Sequence, residues 1–310
     1  MSLCYTITVL TPFSVGEIIM LKKLVVLLAL CLFCFSGNAS SFMPKNNLYI
    51  PADDKIAYSI TVDAFNKAID EVEAIYAPLV KDKYGAHLFV ERNWDDGTVN
   101  AYASQSGKEW KVAMFGGLAR HEAVTPDGFT AVICHEVGHH IGGAPMYSGQ
   151  GQWAADEGQS DYFANSKCLK MVFEQQDEQN IYALESEKNP EEQFVMDKCS
   201  KVFKDDKNVA LCFRSAMAGL SLATLLNDLG GGTTPVKFTT PSRSQVARTS
   251  HSHPAAQCRL DTYFAASLCD KDYSILPDMK SVFTGFCTAK EGYTLGIRPR
   301  CWYQPTEYEK

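Results

Sequence analysis

Phe129-Thr130-Ala131-Val132-Ile133-Cys134-His135-Glu136-Val137-Gly138-His139-His140-Ile141 is the stretch whose reading decides the fold. Its apolar residues recur at helical spacing, and Gly142-Gly143 with Pro145 beyond form a stop for a helix. Two histidines four apart on a helix project from one face, so His135 and His139 can turn imidazole nitrogens toward one ion. Glu136 sits next to the first of them, off its axis. From there a carboxylate reaches a water on the ion without occupying the metal, the geometry of a general base. Such a centre needs a third ligand.

Eighteen residues past His139 stands Glu157, within Asp156-Glu157-Gly158-Gln159-Ser160-Asp161. Glu157 and Asp161 are one helical turn apart and share a face, so one can bind the metal while the other steadies a ligand histidine. Asp156 is the competing ligand, but it lacks the four-residue relation to Asp161. His140 points about 100° away from His139 on a helix and reads as a packing or surface residue. His87 and His121 have no partners in the sequence and read as ordinary.

Outward from the motif, residues 61–83 carry Phe65, Ala68, Ile69, Val72, Tyr76 and Leu79 at spacings of three and four, an amphipathic helix. Leu88 and Val90 with their neighbours, residues 99–104 and residues 110–115 read as strands, the last two joined by the turn Ser106-Gly107-Lys108. Residues 146–153 read as a loop, followed by a helix from about 154 to 173. The acidic residues 174–192 read as a solvated excursion, and 208–229 as a buried core helix interrupted by Arg214 and Asn227. Residues 230–248, rich in Gly, Thr, Ser and Pro, read as a linker, and no internal repeat is present. The expected class is α+β, mainly helical, with a small sheet ahead of the metal motif.

A 310-residue chain that is 46% hydrophobic can bury a substantial core, and a net charge of -7 with no basic stripe argues against nucleic acid. Lys22-Lys23, an apolar run over 24–35 and the small residues Ser36-Gly37-Asn38-Ala39-Ser40 read as a signal peptide cut after Ala39 or Ser40. An uncleaved anchor is the alternative. Met20 opens this unit directly, so residues 1–19 read as a misassigned start. Residues 40–310 then form a single domain, cysteine-rich from about residue 258. Cys31 and Cys34 fall inside the apolar run, where their redox spacing is coincidental. Cys134, Cys168, Cys199, Cys212, Cys258, Cys269, Cys287 and Cys301 follow it; an even set with export favours disulfides. Cys134 is either paired or a small buried thiol on the motif helix.

These residues resemble the gluzincin zinc peptidases, and within them the family of CAAX prenyl endopeptidases, HtpX-type membrane proteases and their soluble periplasmic relatives. Val99-Asn100-Ala101-Tyr102-Ala103 is similar to that family's edge strand, and Gly116-Gly117-Leu118 to its turn before the catalytic helix. His253-Pro254, with Arg259 six residues after the histidine, is similar to its His-Pro segment. The order agrees over residues 60–262. Ser160 and Ala255 depart from the family pattern, and the cysteine-rich end lies outside it.

The resemblance implies a zincin-like fold with the sheet packed on the catalytic helix. It implies one catalytic Zn2+ held by His135, His139 and Glu157, with Glu136 as general base. It also implies that Asp161 orients His135, and that His253 stabilises the oxyanion or occupies the metal at rest. Arg259 stands in the site wall, toward Asp161. A polypeptide substrate would add as a strand along Asn100, Ala101 and Tyr102. The expected protein is a periplasmic or secreted zinc endopeptidase, acting in envelope protein quality control, with no stable membrane insertion after signal cleavage. The alternative is a zinc-fold chaperone or binding protein with little or self-inhibited turnover.

Overall fold

The computed structural model describes residues 39–53, 60–147 and 153–309. The expected signal peptide, apart from Ala39, lies outside the described residues.

Chain order runs β1 (Ser40–Ser41), α1 (Val62–Tyr84), β2 (His87–Asn93), β3 (Ala101–Ser106), β4 (Glu109–Phe115) and a four-residue α2 (Gly116–Ala119). Then come α3 (Pro126–Ile141), α4 (Glu157–Phe163), a π-helical turn (Ala164–Cys168) and α5 (Leu169–Phe173). The remaining long helices are α6 (Asp177–Glu185), α7 (Pro190–Val202), α8 (Asp206–Leu229) and α9 (Ala256–Ser267). The fold is α+β and mainly helical.

Local chemistry sets the main boundaries. Thr61 caps α1 by accepting from the Ala64 N–H at 3.2 Å, and Gly85 ends it in the left-handed region at φ 59°. Thr125 caps α3 through the Gly128 N–H at 3.0 Å, and Pro126 fills the first helical position, where its missing N–H costs nothing.

The sheet has strand order β1-β3-β4-β2, antiparallel except for the parallel β2–β4 pair. Its inner residues Leu88, Val90, Val112 and Met114 join Phe65, Ile69, Val72 and Tyr76 of α1 and Phe129, Val132 and Ile133 of α3 in one core. α3 is buried almost throughout, so its polar residues depend on protein partners.

α8 is the described helix long and apolar enough to cross a membrane, and 83% of its apolar window is buried inside the protein. Arg214 on it is not an interruption. It clamps Asp127 at the start of α3 with two bonds of 3.0 and 2.8 Å, and also reaches Asn180 and Gln176. The acidic stretch folds as α6 and α7, whose surfaces are largely exposed.

Two expectations change, and the open alternative at Cys134 is decided. The helix foreseen from residue 154 begins at Glu157, because 154–156 runs extended: the Ala155 N–H donates to the His139 carbonyl at 3.0 Å, and Ala155 bridges to Met146. Cys134 is paired, with Cys168, tying α3 to the π-helical turn. The β3 edge is not open: β1 lies on it, Ser40 opposite Ala103 and Ser41 opposite Tyr102. The remaining disulfides are Cys199–Cys212, Cys258–Cys301 and Cys269–Cys287.

Candidate metal centre

α3 presents His135 and His139 on one face, with ring centroids 4.7 Å apart. One donor atom from each of His135, Glu136 and His139 falls within 4.8 Å of the others, and all three residues are fully buried. α4 crosses this face closely because position 138 is glycine. A Cβ there would stand 3.1 Å from Ser160 Cα and Ser160 O, tighter than nine in ten real contacts. The crossing brings Glu157 to both imidazoles, Oε2 at 3.3 Å from His135 Nε2 and Oε1 at 3.6 Å from His139 Nε2.

The outer nitrogens are held from behind. His135 Nδ1 donates to Asp161 Oδ1 at 2.8 Å, and His139 Nδ1 donates to the Ala155 carbonyl at 2.9 Å, with Ser160 Oγ at 3.0 Å. Each bond places the N–H on Nδ1 and leaves the Nε2 lone pair facing the cluster. Asp161 is itself gripped by Arg259, Nε to Oδ2 at 2.7 Å and Nη2 to Oδ1 at 2.6 Å, and by the Tyr263 hydroxyl at 2.7 Å.

The inward atoms want a cation. His135 Nε2, Glu157 Oε2 and both Glu136 oxygens are buried without a hydrogen-bond partner, an arrangement costly unless another group satisfies them. Metal–nitrogen and metal–oxygen bonds of about 2.0–2.1 Å in a tetrahedral centre put ligand atoms about 3.3 Å apart. The 3.3 and 3.6 Å separations between Glu157 and the two imidazoles fit that spacing.

The electrostatics agree. Burial alone would lower the His135 pKa, but the Asp161 and Glu157 carboxylates raise it to about 9. Burial likewise opposes charge on Glu157, yet His139 and His135 hold it well below the usual carboxylate range. Positive charge between Glu157 and His135 is thus favoured, whether it arrives as a proton or as a metal ion. Burial pushes Glu136 up to about 8 and pulls His139 down to about 4. A carboxylate poised near neutrality can both take and return a proton.

The other residues singled out in the sequence divide cleanly. His253 reaches the cluster, Nε2 at 3.6 Å from Glu157 Oε2 and 2.8 Å from the Ser41 carbonyl. Asp156 bonds His251 rather than joining the cluster. His140 is buried between the stacked rings of Trp110 and Trp153, and burial pulls its pKa down to about 3. His87 pairs with Glu109 on the surface.

Sequence reasoning missed two hydroxyls, Tyr147 on Glu157 Oε1 at 2.9 Å and Tyr263 on Asp161. It also missed the brace supplied by the cysteine-rich end. Trp302 packs on Gly158, where a Cβ would meet the indole at 2.3 Å, and Arg298 bonds Gln159 at 2.7 Å. Neither tyrosine stands in a motif, and the brace is set by disulfides that spacing alone does not assign.

A cleft of about 260 Å³ beside Glu157 is lined by Ser40, Ser41, Tyr147, Trp153 and His253. No curated protein and no solved structure matches the chain. Residues 72–150 match the model of Peptidase family M48, over a segment that holds β3, β4 and the whole of α3. That segment is similar to the metallopeptidases of family M48, and it contains the metal-competent His135, Glu136 and His139 group.

Proposed function

We propose that the protein is an exported zinc endopeptidase, with His135, His139 and Glu157 as the metal ligands and Glu136 as the general base. The carrying observation is that two imidazoles and a carboxylate converge, with Glu157 at tetrahedral spacing from both rings, while the Glu136 carboxylate stays unbonded beside them. When bound, zinc supplies Lewis acidity, polarising the substrate carbonyl and making water easier to deprotonate.

The chain does the rest. Glu136 takes the proton from the attacking water and returns it to the leaving amine; its raised pKa suits both halves of that cycle. His253 donates to the carbonyl oxygen as it becomes negative, the position its Nε2 already takes toward the Ser41 carbonyl. Asp161, steadied by Arg259 and Tyr263, keeps His135 in the tautomer that faces the metal. The polypeptide substrate adds as a strand to β3 at Asn100, Ala101 and Tyr102, where backbone bonds tolerate many sequences. Four disulfides suit an oxidising compartment, and envelope protein quality control is a role compatible with such tolerance.

A second reading has one observation in its favour: β1 already lies on the β3 edge. On it, the protein is a self-inhibited binding protein or chaperone. Glu136→Gln separates the two. The peptidase reading expects zinc content to be kept, by metal analysis, while casein cleavage falls by about 10²-fold or more. Undiminished cleavage with zinc bound would overturn the mechanism, and a wild type that binds clients without cleaving them would support the second reading.

A further inference from the structure

The segment on the β3 edge is held along its backbone from the Ser41 carbonyl to the Met43 carbonyl. The Phe42 N–H donates to the Ala101 carbonyl at 3.1 Å, and the Phe42 carbonyl accepts from Arg259 Nη1 at 2.7 Å. The Met43 N–H goes to Asn100 Oδ1 at 3.2 Å, and Asn100 Nδ2 returns to the Met43 carbonyl at 3.4 Å. One residue earlier, the Ser41 carbonyl accepts from His253 Nε2 at 2.8 Å. Ser40 Oγ sits 3.2 Å from both His139 Nε2 and Glu157 Oε1, against the metal-facing atoms.

Side chains complete the fit. Phe42 has no exposed surface; its ring meets the His135 ring edge-on at 5.2 Å and carries the Arg259 guanidinium 4.6 Å from its centre. An aromatic ring walled by an imidazole edge and a cation is well matched. A carboxylate in its place would be buried with no exposed surface, beside an Arg259 guanidinium already committed to Asp161, at a high desolvation cost.

We infer that residues 40–43 lie in the cleft as a substrate does, with Ser41–Phe42 as the presented bond, so that the site selects a large apolar side chain on the amine side of the bond. The chain's own strand thereby competes with incoming peptide. This rests on the peptidase reading for the identity of the reacting bond. Hydrolysis there would join the water oxygen to the Ser41 carbonyl carbon and break the C–N bond. It leaves a carboxylate on Ser41 and an amine on Phe42, with the proton passing through Glu136.

The test measures binding, so it does not depend on turnover. The full chain carrying Glu136→Gln is titrated by fluorescence anisotropy with a labelled peptide of residues 39–44, and with the same peptide bearing aspartate in place of its phenylalanine. Phe42→Ser in that background should tighten the phenylalanine peptide by about tenfold or more, since a tethered competitor acts at about millimolar effective concentration. The aspartate peptide should bind about tenfold more weakly than its parent, a ratio set by the same buried-charge cost.

Ser40→Pro is the second variant, serving if Phe42→Ser melts early. Hydrogen-bonded pairs alternate along an antiparallel ladder, so the pair after Phe42–Ala101 is Ser40–Ala103, and proline there removes the Ser40 N–H and the hydroxyl that meets His139 and Glu157 while leaving Phe42 in place. It should tighten the peptide in the same direction. Equal binding of the two peptides, or an affinity unchanged in the folded variants, overturns the inference. Wild type that fails to cleave casein while this binding pattern holds overturns the peptidase reading alone.

Discussion

Arg259 and Asp161 are joined at two points in the fully buried interior, Nε to Oδ2 at 2.7 Å and Nη2 to Oδ1 at 2.6 Å, and the same Asp161 oxygen that meets Nη2 also receives His135 Nδ1. One carboxylate thus links α9 to the metal-facing helix. Breaking a buried pair by removing one partner leaves an uncompensated charge and costs about 3–5 kcal/mol. Arg259→Met should lower the unfolding free energy by that amount in urea titrations. Adding Asp161→Asn should recover part of the stability, because the stranded charge is then gone, and no recovery would rule this account out.

The Cys134–Cys168 bridge closes a loop of 34 residues between α3 and the π-helical turn. Loop-closure entropy for that length is about 4 kcal/mol. The double variant Cys134→Ala, Cys168→Ala should therefore unfold at a markedly lower denaturant midpoint, with a smaller loss if the reduced chain keeps residual structure. An unchanged midpoint would show that the bridge adds nothing to the packing around it.

Burial lowers the Lys170 pKa to about 7, assisted by the neighbouring charge of Lys167, while the unfolded side chain keeps its ordinary value of 10.5. Between those two values the unfolded chain binds more protons than the folded one, so stability rises with pH from about 7 to 10. The slope per group is at most about 1.4 kcal/mol per pH unit. Lys167, lowered to about 8, adds in the same direction. Urea midpoints at pH 7, 8 and 9 should climb in the wild type relative to Lys170→Met, and parallel profiles would contradict the assignment.

Gly158 follows the proposed ligand Glu157, and a Cβ there would stand 2.3 Å from the Trp302 indole. Trp302 is fully buried and anchored by the adjacent Cys258–Cys301 bridge, so it has little freedom to retreat. Gly158→Ala should destabilise by about 1–3 kcal/mol through overpacking. The same displacement of α4 should weaken metal retention against a chelator. Normal retention in a destabilised variant would separate the brace from the metal centre.

The four-residue period made His135 and His139 legible, because a helix of any tertiary context puts them on one face. The adjacency of Glu136 is legible for the same reason. Glu157 was readable only as a carboxylate paired at one turn with Asp161, since nothing local says that α4 crosses α3 at Gly138. Tyr147, Tyr263 and Trp302 left no trace in the pattern. Tyr263 meets Asp161 across 102 residues and Trp302 meets Gly158 across a disulfide-closed arm. Contacts of that range depend on how helices pack, not on any spacing.

The sequence by itself determined the helix that carries the metal-facing histidines, its stop at the paired glycines, and a cysteine set suited to oxidation. These are local properties, governed by periodicity and capping. Only the tertiary structure decided the disulfide pairing and the closing of Asp161 by Arg259 and Tyr263. It alone also decided that the β3 edge is taken by the chain's own residues 40–43. Residues 40–43 carry no motif beyond the start of the expected mature chain, because their partners Asn100, Arg259 and His253 lie between 57 and 217 residues away.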